Sequence, residues 1–472
     1  MSLTKVSYSM ITGAPVNILD FGASPSASAS ANAAAIQAAV DSISTTTAGA
    51  GPGGLLYIPA GVYDIDTQID LPYGVSVKGD GATASILRCY NCDGINFIKT
   101  VQDNDMQTVE DIGLQRMSGT NRFGILASAG TYPTSQNDGF CINRVKITGF
   151  NVGIYFTNAW QSVITNCLIT NVNKAVWLAD HAVLITVADN QFVVESGGAG
   201  TANIIGVEMS GLDLEAIEVR NNFIYGFTTS IKMSDPWSAL IMSNTILTSG
   251  PSGSTQIGID FTTVKEHLNI LDNVIEHNGN AADTVIGIYG RPLNTPSGGA
   301  TVIQNNRIFD DFGVMAVGVG IQINTPADTG QNNVTIQNNN IFRFTTFDIA
   351  AYNPNAITIQ NNRLESTTPT YSLYVSGTLY PPCVIQNNWC VKDIQIEPTE
   401  RAQGKALVEW NYANATYTAV DMFKASAAPT TGTWQRGDIV WNVGATAGGT
   451  AGWICTTAGT PGTWKTFGAI SA

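Results

Sequence analysis

The chain has 472 residues, 44% of them hydrophobic and 9% aromatic, enough to bury a large core. Only 12% are charged, and 36 Asp and Glu against 22 Lys and Arg give a net charge of −14. That balance excludes a nucleic-acid binder, whose phosphate affinity rests on clustered Lys and Arg. No apolar run reaches roughly 18 residues, so no membrane insertion by a helix is expected.

Taken in chain order, Met1 to Pro15 has no basic stretch followed by an apolar run, so no signal peptide is expected there. The next element is a short helix near residues 31–44, since Ile36, Val40 and Ile43 fall on one face after a Ser/Asn cap. Its expected role is to cover the open first coil of a β structure downstream, whose strand edges would otherwise pair with other chains. The seven Cys lack metal or disulfide spacing. Cys141, Cys167 and Cys390 read as buried thiols, folding in a reducing cytoplasm is expected, and no metal or cofactor is expected.

The middle of the chain is organised by a repeat. Ile303-Gln-Asn-Asn-Arg-Ile308 recurs at 336–341, 359–364 and 385–390, with looser copies beginning at Ile164, Val187, Val219, Ile241 and Ile270. Its fourth position is Cys167, Asn190, Asn222, Asn244, Asn273, Asn306, Asn339, Asn362 and Asn388, at intervals of 22 to 33 residues. A fixed motif at variable spacing is the mark of a solenoid whose turns carry loops of different length. Apolar residues alternate with period 2, so each copy reads as strand, tight turn, strand, with Asn suited to the left-handed turn and to a stacked amide ladder. A second strand repeats in step: Val152-Gly-Ile-Tyr, Ile205-Gly-Val-Glu, Ile257-Gly-Ile-Asp, Ile286-Gly-Ile-Tyr and Val319-Gly-Ile-Gln. Two or three short strands per repeat predict an all-β fold, a parallel β-helix over residues 16–395. Beyond it, residues 396–472 form a C-terminal β region. Within that region Trp434, Trp441, Trp453 and Trp464 mark a small unit over about 429–467. Those rings are expected to form its core or a subunit contact, ahead of a sugar-stacking platform.

Four strings carry a resemblance: Val16-Asn-Ile-Leu-Asp-Phe-Gly-Ala23, Ala33-Ala-Ala-Ile-Gln-Ala-Ala39, Gly53 to Tyr63, and Gly74-Val-Ser-Val-Lys-Gly-Asp-Gly81. Together with the Asn-rich repeats they resemble the pectate-lyase superfamily, and within it bacteriophage tailspikes and polysaccharide depolymerases. The resemblance implies a right-handed parallel β-helix and a homotrimer in the virion tail. It also implies residues 1–15 as an arm to other phage tail proteins, and a bacterial surface polysaccharide (capsule or O-antigen) as partner. The family-like string departs at Ser24 to Asn32, where an acidic Gly-Asp-Gly stretch is usual. Activities implied are glycoside hydrolysis first, with β-elimination or non-catalytic adhesion as alternatives.

Stacking the Gly-Ile strands places the residue after each shared Ile in one outward column: Leu126, Tyr155, Trp177, Glu208, Lys232, Asp260, Tyr289, Gln322 and then Tyr374. A second outward column two residues on includes Ser210, Thr262, Arg291 and Asn324. Glu208 and Asp260 are the expected catalytic pair, two rungs or about 9–10 Å apart. Inverting glycosidases hold their carboxyls roughly 6.5–9.5 Å apart to admit a water. Tyr155, Trp177, Lys232, Tyr289, Arg291 and Gln322 are the expected substrate-binding groups. The competing carboxylates are Asp213, Glu215, Glu218, Glu276, Asp310, Asp311 and Glu365, while His267 and His277 read as polar loop residues.

Overall fold

Each coil of the chain adds one strand to each of three parallel sheets, of 15, 15 and 13 strands. The structure, a computed structural model, describes residues 14–43, 53–98, 106–128, 137–195, 204–278, 281–292, 299–311, 315–328, 333–397, 406–409, 411–413, 416–418, 423–431, 434 and 436–472. Sheet 1 starts with Val16–Asn17 and Gly54–Ile58, sheet 2 with Gly61–Ile65, and sheet 3 with Ile69–Leu71. The order 1, 2, 3 then repeats along the chain, which makes a right-handed parallel β-helix.

The interior is a set of aliphatic stacks. Ile241, Ile270, Ile303, Ile336, Ile359 and Ile385 lie in register on sheet 1, each fully buried. Where the chain passes from sheet 1 to sheet 2, the two Asn of the repeat divide the work. The first takes the left-handed turn, at φ 58 for Asn305, 56 for Asn338 and 56 for Asn361, a conformation Asn tolerates. The second is buried and forms a continuous ladder. Asn306 Nδ2 donates to Ile270 O at 2.9 Å and to Asn339 Oδ1 at 3.0 Å, and its own Oδ1 accepts from the Asn273 backbone N–H at 3.0 Å. The pattern runs from Cys167, whose N–H donates to Asn190 Oδ1, to Asn388, which donates to Asn411 Oδ1.

The Gly of the Gly-Ile strand has a packing cause. A Cβ on Gly258 would sit 2.5 Å from Gly287 O and 2.6 Å from Ile275 Cγ2, so the corner between sheets 2 and 3 has little room. Other rungs place Ala175 and Ser230 there, both fully buried.

The N-terminal helix spans Ala29–Ile43 and buries Ile36, Ala39 and Val40 against the first strands of all three sheets. Asn32, inside the divergent 24–32 stretch, is fully buried and accepts the Ser24 N–H at 2.8 Å. Residues 1–13 of the expected arm lie outside the described residues. The rungs run past residue 395. Ala406–Glu409 pairs with Cys383–Gln386, and Asn411–Ala413 pairs with Trp389–Cys390 before Thr416–Thr418 turns back antiparallel. The C-terminal unit is a four-stranded sheet of Phe423–Ala425, Ile439–Asn442, Thr450–Thr457 and Thr463–Ala469. Its fully buried side chains are Val440 and Cys455, whereas Trp434, Trp441, Trp453 and Trp464 all remain half-exposed. No helix is long and apolar enough to cross a membrane among the described residues.

Candidate functional site

Sheet 3 places the outward column in one line. Tyr155 pairs with Trp177, Trp177 with Glu208, Glu208 with Lys232, Lys232 with Asp260, Asp260 with Tyr289 and Tyr289 with Gln322. Two expectations need correction. Ala350, on the strand Phe347–Tyr352, occupies the rung between Gln322 and Tyr374. Asn324 leaves the sheet with φ 61 and is fully buried, its amide donating to Tyr352 O at 3.0 Å.

The two column carboxylates sit in different surroundings although both are over nine-tenths buried. Glu208 Oε2 lies 2.5 Å from Lys174 Nζ, and that ammonium is 3.7 Å from the centre of the Trp177 ring. The Trp177 indole N–H in turn donates to Ser210 Oγ at 2.9 Å, which fixes the ring plane beside Glu208. Asp260 has weaker company: Arg291 Nη2 stands 3.8 Å from its Oδ1. Burial raises the pKa of Asp260 above the ordinary carboxylate value, while the Arg291 and Lys232 charges oppose the rise without cancelling it. Arg291 also lies over the Tyr289 ring, at 5.0 Å. Burial raises the Tyr289 phenol as well. Gln322 donates to Asn324 O at 3.1 Å.

Below the carboxylates, Phe123, Tyr155 and Trp177 form an aromatic series with ring centres 5.2 and 4.8 Å apart. The site therefore has an ion-paired carboxylate, a second carboxyl two rungs away whose pKa burial raises, and aromatic rings beside them.

Lys174 is the residue at this site that period-2 counting misses. Along Lys174–Ala179 the residues Ala175 and Val176 are both fully buried, so the strand reads out, in, in, out rather than alternating. A signal was present: Lys174 is in register with Phe123, Val152, Ile205, Thr229 and Ile257, where it is the one charged side chain.

The competing groups lie elsewhere. Glu218 lines a groove of about 350 Å³ on sheet 1 with His267 and Asn269, but that groove holds one carboxylate and no Tyr, Trp or Phe. Glu276 and Asp310 belong to sheet 2, where Asp310 is fully buried. Neither His is a loop residue, since His267 opens the strand His267–Leu271 and His277 closes Val274–His277. His277 is fully buried against Thr248, and burial lowers its pKa to about 3. No three His, Cys, Asp or Glu side chains converge as metal ligands among the described residues.

Three solved structures show how widely this fold is shared. Tailspike protein 3 of bacteriophage CBA120 is 11% identical with a TM-score of 0.61, the match covering 100% of this chain and 73% of that one. The A-modules of two mannuronan C-5 epimerases of Azotobacter vinelandii, AlgE4 and AlgE6, are each 17% identical. Their TM-scores are 0.56 and 0.55, with 76% and 78% of this chain and 99% of each module covered. No curated protein sequence matches the chain. A family model described as rhamnogalacturonase A/epimerase, pectate lyase-like, matches residues 15–260, just over half of the chain and including Glu208 and Asp260. The chain belongs to the rhamnogalacturonase A/epimerase, pectate lyase-like family.

Proposed function

We propose that this protein binds a bacterial surface polysaccharide along sheet 3 and hydrolyses it between Glu208 and Asp260, as the tailspike depolymerase of a phage tail. The observation that carries the reading is the contrast between the two carboxyls, two rungs apart: Glu208 is held against the Lys174 ammonium, whereas Asp260 has only a guanidinium 3.8 Å away and its pKa is raised by burial. Asp260 gives its proton to the leaving glycosidic oxygen, and the Glu208 carboxylate takes one from the attacking water. Lys174 is a positioning residue, holding Glu208 through the ion pair. Lys232, Arg291, Tyr289 and Gln322 bind the sugar hydroxyls and any acidic substituent, and Tyr155 and Trp177 stack on ring faces. The spacing of about 9–10 Å along the sheet favours inversion. The fold shared with a phage tailspike supports the placement in a virion tail, and assembly as a homotrimer is part of the same proposal.

The test is to incubate the protein with capsular and O-antigen polysaccharides from a panel of bacterial strains and to measure new reducing ends. Glu208→Gln and Asp260→Asn are each expected to lower the rate by about 10²–10⁴-fold, the usual worth of a general acid or base, while binding persists. Full activity in both variants would sink the assignment. Products absorbing in the ultraviolet mean elimination instead, and binding without cleavage means an adhesin.

A further inference from the structure

Above the carboxylates the same column carries Tyr374, one rung before Gln395, in a cluster of rings that hydrolysis at Glu208 and Asp260 does not use. Phe347 and Tyr374 stack with centres 4.7 Å apart and planes 19° from parallel. Tyr352 meets Tyr374 edge-on at 5.9 Å, and Tyr371 lies 6.0 Å from it. Ala350, the register partner of Tyr374, is fully buried although its column faces outward. All four rings are half-exposed.

Two comparisons with the other faces of the helix argue that these rings are kept open for a ligand. Over the neighbouring rungs, sheet 1 turns outward a polar ladder, Gln304 to Gln337 to Gln360 to Gln386, so a solvated face here does not require aromatics. On the neighbouring rungs sheet 2 also carries rings, and there Arg307 lies over Phe309 and Phe342, and Arg363 over Trp389. Among the described residues no Lys or Arg lies over Phe347, Tyr352, Tyr371 or Tyr374.

From Asp260 the register runs through Tyr289, Gln322 and Ala350 to Tyr374, four rungs. At 4.7–4.9 Å per rung the cluster stands about 19 Å from the acid. We infer that the Phe347–Tyr352–Tyr371–Tyr374 cluster is a distal subsite that stacks on sugar rings of the same polysaccharide, several units from the bond being cleaved. The inference rests on the cleavage reading, and it makes the enzyme one that selects long chains: binding energy gained at Tyr374 is available only to a glycan that also spans the intervening rungs.

The test uses the surface polysaccharide of a panel strain on which the wild-type protein is active, fractionated by size exclusion into long chains and short oligosaccharides. Tyr374→Ala is expected to lower the ratio of long-chain to short-chain kcat/KM about tenfold, mainly through KM. Tyr374→Phe, which keeps the ring, restores it. Tyr371→Ala, at the cluster's edge, is expected to act in the same direction more weakly, and it serves if the Tyr374→Ala protein does not fold. An unchanged ratio in a folded Ala variant overturns the subsite and leaves the cleavage reading standing. A wild-type protein that neither binds nor cleaves any polysaccharide of the panel overturns both.

Discussion

Asp260 illustrates how few residues set the chemistry of the face. Its side chain is about 10% exposed, and burial outweighs the two cations that favour its charged form. A general acid with a raised pKa keeps working at higher pH than an ordinary carboxyl, and kcat/KM falls as the pH rises through that value. Arg291 acts against the rise, so removing its charge moves the alkaline limb further up. Arg291→Met should therefore shift that limb toward higher pH. The effect stays small because the guanidinium is 38% exposed and screened by water. The check is a pH profile of kcat/KM for both proteins. A limb that stays in place, or moves down, would mean that Asp260 is not the titrating acid.

Among the elements, the Asn turn is where sequence and structure meet most directly. In Ile303-Gln-Asn-Asn-Arg-Ile308 the first Asn is exposed and left-handed, and the second is buried in the ladder. Asn305→Ala forfeits a turn preference worth about 1 kcal/mol. Asn306→Ala removes the bonds to Ile270 O and Asn339 Oδ1 and leaves the buried Asn273 N–H without its acceptor. A buried unsatisfied group alone costs about 1–3 kcal/mol, so the second substitution should destabilise by about 3 kcal/mol. Denaturation of the two single variants measures the difference, and equal losses would refute the division of labour. This turn was legible because it repeats as letters. So was the register of the outward column, since each shared Ile marks the residue next to it. Three features were not legible. The adjacent inward pair Ala175 and Val176 hid Lys174, because the sheet corner breaks the period of 2. The rung at Phe347-Asp-Ile349 lacks the Gly, which hid Ala350. The last coil, Val408-Glu-Trp-Asn-Tyr-Ala413, has Trp410 where other coils have the first Asn, although Asn411 continues the ladder. The ionic partners that distinguish Glu208 from Asp260, an ammonium at 2.5 Å against a guanidinium at 3.8 Å, depend on packing that no local string encodes.

For the whole molecule, the two ends of the solenoid are closed in different ways, and this decides what each can lose. At the start, the helix Ala29–Ile43 lies on the first coil and buries its apolar stripe there, so its removal bares the ends of the aliphatic stacks together with the edges of three sheets. Solenoids need such a cap, because an uncovered coil end pairs with any strand that reaches it. At the far end the β-helix closes itself. Thr416–Thr418 folds back antiparallel on Asn411–Ala413, and the four strands from Phe423 to Ala469 form a sheet of their own. A chain lacking residues 14–43 should therefore be recovered as aggregate. A chain ending at residue 420 should stay soluble, with its far-ultraviolet dichroism of parallel β and a melting temperature within a few degrees of the full protein. Sedimentation and thermal melts of the two truncations decide the matter. Aggregation of the C-terminal truncation would mean that the Trp-rich sheet, with its half-exposed rings, is itself part of what holds the assembled protein together.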